Sequence, residues 1–200
     1  MQTSMTVTRV SILLSALILA SAHTGWAKTS PETLIYKADK ALAVDPQDAK
    51  AYYNRGTAHL ELGDYDKAIA DLTRTVELEP KAPDAYFNRG MAYRLQRKNA
   101  EAIADYTSAI DLYKDNWKYY YERCNARIVT ADYAGAVADG TELIRLAPKE
   151  ADSYFMRGLA AYLGGDLDAG LADANKALEW KNWHPQALKL RDEITAAKQG

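Results

Sequence analysis

The six residues AYYNRG, from Ala51 to Gly56, recur along the chain with little change. AYFNRG runs from Ala85 to Gly90, YYYERC from Tyr119 to Cys124, and SYFMRG from Ser153 to Gly158, so each copy begins 34 residues after the one before. Self-similarity at a fixed period of this length is the signature of proteins built from one repeated supersecondary unit. The period therefore determines how the rest of the sequence is divided.

Blocks of 34 residues counted from Ala49 span 49–82, 83–116, 117–150 and 151–184. Two positions of the block are small: position 8 holds Gly56, Gly90, Cys124 and Gly158, and position 20 holds Ala68, Ala102, Ala136 and Gly170. Small side chains allow the backbones of two packed helices to approach closely. Between these positions lie turns that contain glycine and aspartate, which cap helices. The pattern predicts two antiparallel helices in each block.

Position 4 is tyrosine in every block, and position 32 is proline in the first and third blocks. Proline ends a helix because its ring cannot continue the hydrogen-bond ladder. With these small-residue, aromatic and proline columns, residues 49–184 resemble the tetratricopeptide repeat (TPR) family. The resemblance implies an all-α fold, an α-solenoid of antiparallel helix pairs with four full repeat units. Arg97 replaces the usual inter-helix glycine, and Lys114 and Asn182 replace the terminal proline; we expect these departures to affect the local turn geometry and not the fold.

The same period extends beyond the four blocks. Residues 28–48 form an N-terminal half repeat, for which we predict a lone second helix over 31–45 with Ser30 or Thr29 as its N-cap. Residues 185–200 are amphipathic, and we predict a C-terminal capping helix that shields the last apolar face.

The first 27 residues predict a secretory signal peptide. Arg9 precedes the uncharged run VSILLSALILA (10–20), and small residues then offer cleavage after Ala22 or Ala27. This run is shorter than the roughly 20 apolar residues that a membrane span needs. We therefore expect a soluble exported protein, periplasmic in a bacterium, with no stable membrane insertion after cleavage. The alternative is a membrane anchor formed by an uncleaved N-terminal segment.

Two charged columns face each other in the predicted helix pairs. Position 7 is Arg55, Arg89, Arg123 and Arg157, and position 23 is Asp71, Asp105, Asp139 and Asp173. A bidentate Arg–Asp pair fixes how two helices sit against each other. Because the pair recurs in every unit, whereas an active site would be used once, we interpret it as a structural ladder.

No combination of residues indicates catalysis. The histidines His23, His59 and His184 have no metal-ligand spacing, and no Cys–His or Ser–His–Asp set can be placed on a shared face. Cys124, the only cysteine, replaces a small packing residue, which predicts a buried and unreactive thiol without a disulfide. We expect no enzyme activity, no cofactor and no metal.

The resemblance further implies a concave groove lined by the first helix of each unit. Aromatic residues fill position 5 of all four blocks, and carboxamides lie beside them, so the groove offers stiff contact area and hydrogen bonds for a peptide backbone. The candidate peptide-binding residues are Tyr53, Asn54, Phe87, Asn88, Met91, Arg94, Tyr121, Asn125, Phe155, Leu159 and Tyr162. The alternative for the rings is simple packing on neighbouring first helices. The family's carboxylate-clamp subclass is disfavoured, because Glu122 would repel a carboxylate.

These features predict a protein–protein interaction module, an exported adaptor that binds a peptide or partner helix. The formal net charge of −2, from 25 basic and 27 acidic residues without a long basic run, argues against nucleic acid as a partner. Two alternatives stay open: binding of an envelope glycan by the aromatic row, and a structural spacer that uses Trp180 and Trp183 near the cap. Trp180 occupies the column of Leu78, Leu112 and Leu146, so we expect it to be buried.

Overall fold

The computed structural model describes residues 29–199, and this range contains ten α-helices and no strand. They are α1 (Pro31–Val44), α2 (Ala49–Leu62), α3 (Tyr65–Leu78), α4 (Pro83–Leu95), α5 (Asn99–Leu112), α6 (Trp117–Val129), α7 (Tyr133–Leu146), α8 (Ala151–Leu163), α9 (Leu167–Trp180) and α10 (Pro185–Ala197). The predicted signal peptide lies outside the described residues. Within them, no helix has the length and apolar character needed to cross a membrane.

Each helix packs against the next one along the chain. Because the helices of the pairs α2–α3, α4–α5, α6–α7 and α8–α9 are separated by only two or three residues, the partners in each pair run in opposite directions. The predicted all-α fold of stacked antiparallel helix pairs is confirmed. We refer to α2, α4, α6 and α8 as the first helices, and to α3, α5, α7 and α9 as the second helices.

The small residues at positions 8 and 20 lie where the paired helices touch. A methyl group added to Gly56 would lie 2.9 Å from Leu72 Cγ, and one added to Gly158 would lie 2.9 Å from Asp173 Cβ. Both distances are shorter than packed carbon atoms allow. In the third pair, Cys124 is fully buried and its thiol donates to the carbonyl of Ala136 at 3.3 Å. The predicted close approach and the buried thiol are both confirmed.

The turn inside each pair uses a left-handed residue at the same block position. Gly63 and Gly165 have φ of 81° and 94°, and Arg97 and Ala131 adopt φ of 63° and 61° at the equivalent sites. The turn geometry is therefore the same in the second and third blocks, where glycine is absent. The left-handed conformation is sterically unfavourable there because Arg97 and Ala131 have a Cβ atom.

The aspartates after these turns act differently from one another. Asp166 caps α9 by accepting from the amide of Ala169 at 2.9 Å, as predicted. Asp64 makes no cap hydrogen bond, because its carboxylate pairs with Lys67 and His59. At the N-terminus of α1, Ser30 is the N-cap, one of the two predicted candidates.

Proline at position 32 does not set the end of the second helices. All four end at position 30, namely at Leu78, Leu112, Leu146 and Trp180, whether or not proline follows. In each case the next residue is no longer helical and its amide still bonds the carbonyl four residues earlier, as from Glu79 to Thr75 at 2.8 Å. The expectation that Lys114 and Asn182 alter the chain locally is not met at these helix ends.

The arginine–aspartate ladder is present in all four pairs. Arg89 donates from Nε and Nη2 to the carboxylate of Asp105 at 2.8 and 2.7 Å, and Arg55–Asp71, Arg123–Asp139 and Arg157–Asp173 repeat this bidentate contact. All four aspartates are buried. The structural interpretation of these columns is confirmed.

The ladder also joins neighbouring units, which the sequence did not predict. Arg89 Nη1 donates to Thr73 of the preceding second helix at 3.2 Å, and Arg123 Nη1 donates to Thr107 at 3.0 Å. Arg55 reaches Asp39 on α1 in the same way, at 2.6 Å. Each of these arginines therefore holds three helices together.

The C-terminal helix α10 closes the stack through Ala187, Leu190 and Ile194, which are buried. The burial expected for Trp180 is wrong: it is 43% exposed, with the ammonium of Lys176 lying 5.7 Å from its ring centre. Trp180 is the last residue of α9, and the three residues that follow it are exposed as well.

Candidate functional site

The first helices of neighbouring pairs touch one another, and together they form a continuous surface that we call the first-helix face. The position-5 rings Tyr53, Phe87 and Tyr121 are half-buried on α2, α4 and α6. This partial burial means that each ring packs on neighbouring residues and also keeps part of its surface open to solvent.

At the α2–α4 end of the face, the candidates form a hydrogen-bonded group. The amide nitrogen of Asn88 donates to Tyr53 OH at 3.1 Å and to Thr57 Oγ1 at 3.3 Å, across the contact between two helices. Burial, together with the nearby charge of Asp84, raises the pKa of Tyr53, so the phenol stays neutral. Asn54, also half-buried, lines a small cleft against α1. The rings and amides here are fixed in orientation by their own contacts.

Phe87 belongs to the core as much as to the surface. Its ring lies 5.0 Å from that of Tyr119 and 5.7 Å from that of Tyr106, and Met91 packs on the same cluster. Tyr119 in turn donates to Asp84 at 2.6 Å. For Phe87, the packing alternative accounts for most of the contacts.

A buried polar cluster lies at the centre of the face, between α4, α5 and α6. Arg94 Nε and Glu122 Oε2 are 3.0 Å apart, an ion pair whose atoms are not aligned for a hydrogen bond. Burial raises the pKa of Glu122, while the charge of Arg94 acts in the opposite direction. Among the described residues, Tyr106 OH and Asn125 Oδ1 are buried without a hydrogen-bond partner. Such groups carry an energetic penalty until a partner is supplied.

At the α8 end, two predicted residues are not available to a ligand. Phe155 and Leu159 are 6% and 3% exposed, and they lie in the hydrophobic core. The reason is α10, whose N-cap His184 lies over Phe155 with the ring centres 5.3 Å apart. Tyr162 stays half-buried on the same helix.

His184 has a structural role that the sequence did not reveal. Its Nδ1 accepts from the amide of Ala187 at 3.1 Å, so the proton is on Nε2, which donates to Asp152 Oδ1 at 2.8 Å. This hydrogen bond is the main cause that lowers the pKa of Asp152. The histidine thus ties the first turn of α10 to the first turn of α8.

A cavity of about 400 Å³ opens beside Tyr121, where α6, α7 and α8 meet. Its walls are Trp117, Tyr121, Leu143, Ala147, Glu150, Asp152 and Ser153. Trp117 and Tyr121 stand nearly perpendicular, at 78°, with their ring centres 6.1 Å apart. Sequence reasoning included only Tyr121 of this set, because the other walls come from a second helix, a loop and the ends of first helices. The aromatic Trp117 in the first turn of α6 was the available signal.

Cys124 is buried and is not available as a nucleophile. Burial raises the pKa of the Cys124 thiol, which keeps it protonated. Within residues 29–199, no group of three or more His, Cys, Asp or Glu side chains is placed to hold a metal ion.

Several solved structures have similar folds. MamA aligns with a TM-score of 0.72 at 23% identity, covering 82% of this chain and 97% of that one, and MamA from Desulfovibrio magneticus RS-1 aligns with 0.71 at 19% identity, covering 76% and 85%. YrrB, described as a TPR protein with an unusual peptide-binding site, aligns with 0.75 at 18% identity, covering 81% and 84%. The first TPR domain of Spaghetti (RPAP3), bound to the HSP90 peptide SRMEEVD, aligns with 0.56 at 24% identity, covering 59% and 94%.

No curated protein matches the chain significantly. The sequence pattern of the tetratricopeptide repeat matches residues 37–72, 53–116 and 121–183, which is more than half of the chain. The chain therefore belongs to the tetratricopeptide repeat family.

Proposed function

We propose that this protein is an exported, non-catalytic adaptor that binds a peptide or partner helix along the first-helix face. The contacting residues are Tyr53, Asn54, Phe87, Asn88, Met91, Arg94, Tyr121, Asn125 and Tyr162. Family membership supports a protein partner, as do the peptide-binding site described for YrrB and the peptide bound to the RPAP3 domain. Phe155 and Leu159 do not belong to this surface because α10 covers that part of the face.

The observation that carries the proposal is the polar cluster at the centre of the face. Asn125 Oδ1 lacks a hydrogen-bond partner among the described residues, and this half-buried side chain lies near Tyr121. The unpartnered Tyr106 hydroxyl belongs to a fully buried side chain, which a ligand does not reach. A peptide backbone supplies an N–H donor for the amide oxygen once the half-buried Asn125 side chain turns toward it. Binding would thus satisfy the Asn125 amide oxygen while the exposed parts of the Tyr53 and Tyr121 rings contact apolar side chains.

The same cluster argues against recognition of a C-terminal carboxylate. Arg94 is paired with Glu122, so its charge is already neutralised within the face. A carboxylate placed there would meet the negative charge of Glu122 at close range. An internal segment of a partner, without a terminal charge, suits the site better.

Selection of binders from a peptide library on the purified protein tests the proposal. We expect the double variant Tyr53→Ala/Tyr121→Ala to weaken selected peptides by about tenfold or more, as loss of interface anchors does. Tyr113→Ala is the matched control, because Tyr113 is 52% exposed at the end of a second helix. If the double variant binds the selected peptides as tightly as the wild type and melts at the same temperature, the groove assignment is contradicted.

The exported location has a separate test. Intact mass of the protein recovered from the periplasm of an expressing bacterium distinguishes cleavage after Ala22 from cleavage after Ala27. Recovery of the uncleaved chain in the membrane fraction would instead support the anchor.

A structural spacer is a second candidate, favoured by two exposed tryptophans near the C-terminal cap. Trp183 is 74% exposed in the loop between α9 and α10, close in sequence to the exposed Trp180. Single exposed aromatics are ordinary, but two that are three positions apart in the sequence suit an assembly contact. Crosslinking of the native complex, with Trp180→Ala/Trp183→Ala as the test variant, separates this role from groove binding.

A further inference from the structure

We propose that the cavity between α6, α7 and α8 is a subsite for a cationic side chain, lysine or arginine, of the bound segment. This inference rests on the proposed function, since it assigns a specificity element to the same peptide-binding face. The cavity and the face share Tyr121, so a segment lying along α6 passes its mouth.

The first argument is the arrangement of the aromatic walls. Trp117 is 48% exposed, so a large part of its apolar surface is open to solvent. Trp117 and Tyr121 meet edge to face, so they offer two ring surfaces at right angles around one volume. Ring faces carry negative electrostatic potential and attract ammonium and guanidinium groups, tryptophan most strongly. Two such walls favour a cation over an apolar side chain.

The second argument is charge. Glu150 and Asp152 line the cavity together, and within residues 29–199 neither forms an ion pair with a lysine or arginine. Glu150 is exposed and, as the N-cap residue of α8, its side chain accepts no cap hydrogen bond. Asp152 accepts from His184 through Oδ1 only, which leaves Oδ2 for a ligand.

The surrounding basic residues do not fill this cavity. Lys118 and Lys149, the sequence neighbours of the lining, are exposed, and so is Lys181, whose charge acts on Asp152. None of the three is among the residues that line the cavity. The helix N-terminus of α8 would by itself favour an anion, but the two carboxylates reverse that preference.

The third argument is size and closure. A volume of about 400 Å³ falls in the range of small ligand sites. Leu143 and Ala147 form an apolar wall suited to the methylene stem of a lysine or arginine, while the charged end reaches the carboxylates.

The test uses the full protein with ¹⁵N-labelled tryptophan and the probe Nα-acetyl-arginine methylamide. The Trp117 indole signal is assigned with Trp117→Phe. This signal should shift when the arginine probe is added, and also when the lysine analogue is added. The citrulline analogue, which has nearly the same shape without the charge, should bind at least about fivefold more weakly. Equal binding of citrulline overturns the proposal.

Matched variants identify the groups responsible. Glu150→Gln should weaken the arginine probe about fivefold, whereas Glu79→Gln, an exposed carboxylate on the first pair, should leave it unchanged. Trp117→Leu should abolish saturable binding and Trp183→Leu should not, both followed by titration calorimetry because the first variant lacks the indole signal. Insensitivity of the probe to Glu150→Gln and Trp117→Leu overturns the subsite, as does tighter binding of a peptidoglycan disaccharide.

Failure of this inference differs from failure of the proposed function. If library peptides bind in a Tyr53-dependent manner but show no preference for lysine or arginine, the adaptor function stands and the subsite falls. If no peptide binds, the adaptor function falls, and the amino acid probes still report on the cavity.

Discussion

Removal of one partner from the Arg89–Asp105 pair should destabilise the protein far more than the pair stabilises it. Asp105 and Arg89 have side chains 7% and 15% exposed and share two hydrogen bonds of 2.8 and 2.7 Å. Arg89→Ala leaves a buried carboxylate without its cation and also removes the guanidinium near the Tyr86 ring. Loss of one partner of a buried pair costs about 3–5 kcal/mol, and the residual exposure here places Arg89→Ala at the lower end, about 3 kcal/mol.

Asp105→Ala should cost less, about 2 kcal/mol, because Arg89 keeps its hydrogen bond to Thr73 and reaches water. In the double variant neither charge is left unpaired. We therefore expect its cost to fall about 2 kcal/mol short of the sum of the single costs. The physical reason is that each single change carries a desolvation penalty that the second change removes.

The assay is urea unfolding followed by helical circular dichroism, with tryptophan fluorescence as a second probe of two-state behaviour. The exposed pair Lys176–Glu179, 2.6 Å apart on one helix, is the control, with an expected coupling below about 0.5 kcal/mol. Single costs for Arg89 and Asp105 that add to the double cost within about 0.5 kcal/mol would refute the ladder as a coupled unit.

Three further predictions concern the turns and the C-terminal cap. Ala131→Gly should raise the free energy of unfolding by about 0.5–1 kcal/mol, because φ is 61° at this residue. The control Ala104→Gly, within α5, should lower the free energy of unfolding by about 1 kcal/mol. The midpoints of urea unfolding compare the two variants. His184→Ala should cost about 3 kcal/mol and increase amide exchange in α10, while His184→Asn should recover about 1 kcal/mol because asparagine still caps Ala187. The pKa of Asp152 is lowered in the folded state, so the ionised carboxylate stabilises the fold. This contribution is complete above the ordinary aspartate pKa of about 3.9 and is lost as pH falls through the folded-state pKa. Stability of the wild type minus that of Asp152→Asn should shrink as pH falls below 4; a difference that persists at pH 2 contradicts this assignment.

The candidate site was only partly predictable from the sequence. The position-5 column correctly placed Tyr53 and Tyr121 on the first-helix face, because residues at one block position occupy equivalent places on stacked units. Phe155 holds the same position but is buried, since α10 continues the row of first helices and covers it. Periodicity gives a residue's place within its own unit, whereas its exposure depends on the unit beside it.

The sequence by itself determined the repeat, the helix pairs, the small-residue contacts and the arginine–aspartate ladder. All of these are contacts inside one unit, repeated at a spacing of 34 residues, so four copies reinforced each assignment. The tertiary structure alone decided the arginine–threonine contacts between units and the hydrogen bond from His184 to Asp152. It also decided the buried Tyr106 and Asn125 oxygens without hydrogen-bond partners among the described residues, and the cavity at Trp117. These features join residues from different units, and the rotation from one unit to the next, which brings them together, is set by side-chain packing that no single repeat encodes.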